Sequence, residues 1–168
     1  QRWGQTFADS IVEKFDIHDC NFRWHKNDCV QSGESLPFEV SRGCIFKCKF
    51  CRFPNIGKTK NDFTKSLDNI INELVYNYET YGTTNYYFLE DTFNDDHKRL
   101  TLFKEAVIKL PFKINFAAYF RADLLAAHPD QPEILEESGL ISGFLGIETF
   151  NPEASTLIGK PWSGKYGK

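Results

Sequence analysis

Three of the chain's five cysteines, Cys44, Cys48 and Cys51, fall on one short segment with three and then two residues between them. Thiolates are soft ligands that favour iron–sulfur clusters or zinc. Three on one loop can hold three corners of an iron–sulfur cube and leave the fourth iron open. Structural zinc instead wants four protein ligands, and the loop offers no fourth cysteine or histidine; His97 and His128 would have to contribute from elsewhere. Arg42, Lys47, Lys49 and Arg52 keep the loop at the surface, which argues against three idle buried thiols. An odd number of cysteines, three of them crowded, reads as metal in a reducing compartment rather than as disulfides.

The elements that must position this loop follow an alternating pattern from Leu36 onward. Leu36–Val40 reads as a strand that runs directly into the cysteines. Leu67, Ile70, Ile71, Leu74, Val75 and Tyr78 share one face of a helix from about Ser66 to Tyr81, with Ser66 as its cap and Gly82 as its stop. Asn85–Leu89 is a second strand, and Leu100, Phe103, Val107 and Leu110 mark the face of a helix that Pro111 ends. Lys113–Phe120 reads as a third strand, Pro132–Ser138 as a short helix and Ile141–Ile147 as a fourth strand. Strands alternating with helices predict βαβ units and a parallel sheet with right-handed crossovers.

A parallel sheet presents the C-terminal ends of all its strands on one side, where βα barrels place their chemistry. The cysteine loop follows the first strand, Glu90-Asp91 the second, Arg121 and Asp123 the third, and Glu148 the fourth. A purely structural sheet has no need of reactive or charged groups at every strand end.

Several segments join the loop Ser41-Arg42-Gly43-Cys44-Ile45-Phe46-Lys47-Cys48-Lys49-Phe50-Cys51: Asp91-Thr92-Phe93-Asn94, Arg121-Ala122-Asp123-Leu124, Glu137-Ser138-Gly139-Leu140 and Gly146-Ile147-Glu148. Together they resemble the radical S-adenosylmethionine (radical SAM) superfamily over about residues 36 to 160. The similarity is to the branch containing cobalamin-associated enzymes and methylthiotransferases. The resemblance implies an α/β fold, a partial (β/α) TIM-like barrel of about four βα units, with residues 36–168 as the core and 1–35 as an N-terminal extension or linker.

In that superfamily the amino group and carboxylate of S-adenosylmethionine chelate the open iron of a [4Fe–4S] cluster. Reductive cleavage gives methionine and a 5′-deoxyadenosyl radical that abstracts hydrogen from carbon. By this resemblance Cys44, Cys48 and Cys51 are the cluster ligands and Phe50 the aromatic neighbour of the adenine. Glu90 or Asp91 meets the cofactor's amino group, in a segment that lacks the family's usual glycine pair. Arg121 fits its carboxylate and Glu148 its ribose hydroxyls. The residues alone leave plainer readings open: packing for Phe50, a salt bridge from Arg121 to Asp91, Asp123 or Glu148, and a solvated carboxylate for Glu148. The competing function is a non-enzymatic zinc- or cluster-binding module.

The resemblance also implies an electron donor of the flavodoxin or ferredoxin kind. Cobalamin is allowed but unsupported: no cobalamin-binding histidine motif is present, and such a domain would lie upstream of Gln1. A composition of 41% hydrophobic and 26% charged residues is that of a water-soluble globular domain. The net charge of −3 gives no general attraction to phosphate backbones, so nucleic acid is not indicated, although Lys47, Lys49, Arg52, Lys58 and Lys60 form a local basic patch. No apolar run spans a bilayer and no signal peptide is evident, which reads as a cytoplasmic protein without a membrane partner. The chain contains no methionine and ends without a closing element, as expected of a piece of a longer protein. His18, Cys20, His25 and Cys29 match no ligand spacing and read as free side chains; Tyr86, Tyr87 and Tyr119 alternate on strands, any of them a substrate contact if it faces a barrel interior.

Overall fold

Every second residue of Leu36, Phe38, Tyr86, Phe88, Phe116, Ala118 and Phe120 is buried along its strand, the two-residue period that turns one face of a sheet inward. The computed structural model describes residues 17–51 and 63–160. In it the strands β1 (Ser35–Phe38), β2 (Asn85–Phe88), β3 (Asn115–Arg121) and β4 (Leu140–Gly146) form one parallel sheet in the order β1-β2-β3-β4. Five helices intervene or follow: α1 (Leu67–Tyr81), α2 (His97–Val107), α3 (Ala122–Ala127), α4 (Gln131–Glu137) and α5 (Pro152–Leu157).

The inward face packs against α1 through Ile70 and Leu74, α2 through Leu100, Phe103 and Val107, and α4 through Ile134 and Leu135. Phe88 and Phe116 stack at 4.4 Å on neighbouring strands, and Phe93 and Phe103 meet them edge-on. Each such ring, fully buried, contributes about 1.5–3 kcal/mol. The other face of β2, β3 and β4 carries Tyr87, Tyr119 and Phe144.

The expected elements form with small shifts. Ser66 caps α1 by accepting from the Asn69 N–H, and Gly82 ends it at φ 66°, in the left-handed region. β1 stops at Phe38 instead of Val40, and β3 runs one residue further, to Arg121. α2 closes at Val107, ahead of Pro111: Lys109 and Leu110 bond back three residues, tightening the last turn. Proline disfavours the helical conformation of the residue before it, so a helix approaching it usually closes early. Residues 17–34 carry only the 3-10 turn Lys26–Asp28 and lie along α1. The Ser66 N–H donates to the His18 carbonyl, and Tyr81 Oη to the Trp24 carbonyl. Glu73 accepts from both Phe22 N–H and the buried Lys65 ammonium. Among the described residues, no helix is long and apolar enough to cross a membrane.

Candidate functional site

The chain leaves β1 through Glu39 and Val40 and turns at Ser41, which bridges to Thr64. Lys65 N–H donates to the Val40 carbonyl and Arg42 N–H to the Phe63 carbonyl, so the base of the cysteine loop is pinned to the segment that leads into α1. Gly43, at φ 87°, makes the turn that a side chain would strain. Cys44, Cys48 and Cys51 follow as free thiols.

Each of the first two thiols meets a different strand end. Cys44 Sγ lies 3.5 Å from Thr92 Oγ1, just beyond β2. Burial pushes the Cys44 thiol up, and the Thr92 contact acts against that rise. Cys48 is buried, and its Sγ accepts from Arg121 Nη1 at 3.3 Å at the end of β3. The same guanidinium gives two parallel bonds to Asp123, at 3.0 and 2.7 Å, and stands 4.0 Å over the Phe46 ring. Arg121 is thus fixed by a carboxylate fork, an aromatic face and a sulfur at once, a geometry open to Arg and closed to Lys. Cys51 closes the turn by donating its N–H to the Cys48 carbonyl.

The far side of the loop rests on the segment after α5. Lys49 N–H donates to the Ile158 carbonyl. Lys160 Nζ binds both Glu148 oxygens at 2.8 and 2.7 Å and the Gly146 carbonyl at 3.2 Å, and stands 5.6 Å from the centre of the Phe50 ring. Lys160 therefore brings Phe50 and Glu148 to one corner of the site, while Phe50 stays more than half exposed, at 54%.

Glu90 points elsewhere. Its carboxyl is fully buried beneath the loop, where Oε2 accepts from Ser41 Oγ at 2.7 Å and from Arg99 Nη2 at 3.4 Å, and Oε1 has no hydrogen-bond partner. Burial pushes Glu90 up to about 7, with Arg99 and the Ser41 bond acting against that rise. Asp91 is half-buried and close enough to Cys44 to raise its thiol further. Of the two acids, Asp91 is the one on the thiol side.

Thr92, Phe46, Lys160 and Asn94 acquire contacts here that spacing did not announce. Arg52, Lys58 and Lys60 of the basic patch, and Trp3, lie outside the described residues. Among the described residues, a single group of three ligand atoms lies within 4.8 Å, the reach of donors on one ion, and it is His97, His128 and Asp130. The two histidines are therefore grouped with an aspartate and not with the cysteine loop. The three sulfurs stand wider than a single-ion set, unpaired by disulfide, on one loop with a cation at Cys48. This donor set fits a multi-iron cluster better than one zinc.

The fold is a parallel βα sheet with three free thiols gathered at the C-terminal edge of its strands. The sequence profile of the Radical SAM superfamily matches residues 38–166, well over half the chain, and the chain belongs to that superfamily. It is 28% identical over 130 residues to an uncharacterized methyltransferase of Pyrococcus horikoshii, covering 76% of this chain and 28% of that protein. It is also 28% identical over 125 residues to the hopanoid C-2 methylase of Rhodopseudomonas palustris, covering 73% of this chain and 24% of the methylase. Among solved structures it resembles the cobalamin-dependent S-adenosylmethionine radical enzyme OxsB, with a TM-score of 0.61 and 19% identity over 79% of this chain and 21% of OxsB. It also resembles the radical S-adenosylmethionine methyltransferase TsrM of Kitasatospora setae, with a TM-score of 0.54 and 15% identity over 72% of this chain and 23% of TsrM. The chain spans about a quarter of the curated relatives' length. At these identities the structures establish the fold: an α/β sheet of the TIM-like radical SAM type. The superfamily works with a [4Fe–4S] cluster and S-adenosylmethionine, and needs a reductant.

Proposed function

We propose that Cys44, Cys48 and Cys51 hold a [4Fe–4S] cluster and that the protein uses it with S-adenosylmethionine to begin radical chemistry. The observation that carries this reading is the seat of the cysteine loop, at the C-terminal edge of the sheet and within the superfamily match. When bound, the cluster supplies the electron that cleaves the sulfonium and yields a 5′-deoxyadenosyl radical.

The chain's own residues set the surroundings. Arg121 holds Cys48 in place and puts a positive charge beside the sulfur. Thr92 and Asp91 border Cys44, and Asp91 is the acid we assign to the cofactor's amino group ahead of the buried Glu90. Phe50 offers an exposed ring for the adenine. Glu148 reaches ribose hydroxyls after exchanging its bond to Lys160. Arg121 is committed to Asp123, so its contact with the cofactor carboxylate would use the guanidinium edge now turned to Cys48.

Methyl transfer is the reaction class we favour, since both curated relatives are named for it. A small flavodoxin- or ferredoxin-like protein is the fitting electron donor. The test is anaerobic reconstitution with iron and sulfide, then S-adenosylmethionine and dithionite, with 5′-deoxyadenosine measured by chromatography. Product that disappears in Cys48→Ala is expected. One zinc per chain held by the thiolates, without sulfide, would instead establish the structural module.

A further inference from the structure

We propose that His97, His128 and Asp130 form a second metal site, separate from the cysteine loop, that takes one divalent ion of the zinc type. The ligand atoms of the three side chains lie within 4.8 Å of one another, the only such group among the described residues. They come from two segments: His97 opens α2, while His128 and Asp130 lie in the turn between α3 and α4. The fold therefore assembles the cluster from residues about thirty positions apart.

One pair of donors in the group already stands at the spacing of neighbouring ligands on one ion. His97 Nε2 and Asp130 Oδ2 stand 3.3 Å apart, an ion pair when the imidazole is protonated and a pair of donors to a metal when it is neutral. Zinc–nitrogen and zinc–oxygen bonds of about 2.0–2.2 Å at a tetrahedral angle place neighbouring donors about 3.4 Å apart. The two imidazoles are stacked, with centroids at 4.6 Å and planes 12° apart, so one ring must turn about its side-chain bonds for both to present a lone pair to one ion. His97 Nδ1 is buried and has no hydrogen-bond partner. Its Nε2 meets Asp130, itself a member of the group, and Nδ1 meets no hydrogen-bond partner.

The donor types narrow the ion. Two imidazoles and one carboxylate suit zinc and its first-row neighbours, and lack the oxygen shell that calcium or magnesium requires. Three protein ligands leave a position for water or another small ligand. Asp130 is exposed enough to admit an ion from solvent. Once bound, the ion would tie the segment after β2 to the α3–α4 turn. Asn94 already links these regions, donating to the Arg121 carbonyl and to Gln131 Oε1. The site is thus a staple behind Thr92 and Arg121, the residues that contact Cys44 and Cys48.

The experiment must keep the cysteines of the loop out of the answer. Metal-free protein carrying Cys44→Ser, Cys48→Ser and Cys51→Ser is titrated with Co²⁺ and then Zn²⁺. One equivalent of Co²⁺ is expected, with visible bands of nitrogen and oxygen ligation, no thiolate charge-transfer band, and displacement by Zn²⁺. Loss of an outer-shell partner alone weakens metal binding about 10- to 100-fold, so His128→Gln in this background is expected to weaken it by more than about 100-fold. Circular dichroism of the variant should be unchanged. If the triple variant does not fold, the cysteine-intact protein with its iron–sulfur cluster in place is loaded with one equivalent of Zn²⁺ and read at the zinc K-edge. A shell of nitrogen and oxygen with imidazole outer scattering is expected, together with a rise in melting temperature that His128→Gln abolishes. Sulfur in the zinc shell, no binding at stoichiometric metal, or binding indifferent to His128→Gln would overturn the proposal.

Discussion

Glu90 has a carboxyl sealed from solvent, with one oxygen unpartnered and the other shared between Ser41 and Arg99. Arg99 divides its charge with Asp95, which it binds at 2.6 Å, so Glu90 is only partly neutralised. Burial accordingly raises Glu90 from the usual 4.5 to about 7. Between those values the folded carboxyl keeps a proton that the unfolded chain has released, so stability falls as pH rises through this window and levels off above it. At about 1.4 kcal/mol per unit the loss is about 3 kcal/mol. Glu90→Gln should match the wild type near pH 5 and exceed it near pH 8, as read by urea denaturation at both values; parallel pH profiles would show that Glu90 does not titrate there. Arg121 supports a second prediction. A lysine cannot grip Asp123 twice, lie flat on Phe46 and reach Cys48 together. Arg121→Lys should lower stability by about 2 kcal/mol and reduce the iron retained after reconstitution. Unchanged iron retention would remove Arg121 from any part in seating Cys48.

At the scale of elements, Asn94, in the loop between β2 and α2, ties β3 to α4. Its Oδ1 accepts from the Arg121 N–H at 3.0 Å, and its Nδ2 donates to the Arg121 carbonyl and Gln131 Oε1, each at 3.1 Å. All of this is buried, so Asn94→Ala leaves several polar groups without partners and should cost about 3 kcal/mol. A thermal melt within a degree of the wild type would refute that role. The strands and the long helices were legible because apolar spacing reports a buried face, and Ser66 and Gly82 are caps that a sequence announces. α3 was not legible: its six residues follow Arg121 without a turn signal, too few to show a helical period. The inward turn of Glu90 lies past the end of β2, yet Phe88 in, Leu89 out and Glu90 in continue the strand's alternation. Lys160 carries no local sign of its bond to Glu148, because that contact depends on how the chain returns after α5.

For the whole molecule, the decisive asymmetry is at the edge of the sheet. β1, β2 and β3 bury one face against α1, α2 and α4, but β4 is last in the order and exposes large apolar groups on both faces. Ile141 is 69% exposed, Phe144 47% and Leu145 50%. A flat apolar edge with unpaired backbone groups is a template for pairing with another chain, and contiguous exposed apolar area of this kind favours association. The 168-residue chain by itself should therefore bind an apolar fluorescent dye and sediment as species larger than a monomer at micromolar concentration. Ile141→Lys puts a charge where the edge must stay dry to pair, and costs little in folding because the side chain is already in solvent. It should shift the chain toward monomer with stability changed by less than about 0.5 kcal/mol. Sedimentation of both forms decides: a wild-type chain that is already monomeric and dye-free would mean β4 is covered by parts of the chain beyond the described residues. Association that persists in Ile141→Lys would place the sticky surface elsewhere, with the aromatic face of Tyr87, Tyr119 and Phe144 the next to test by Phe144→Lys.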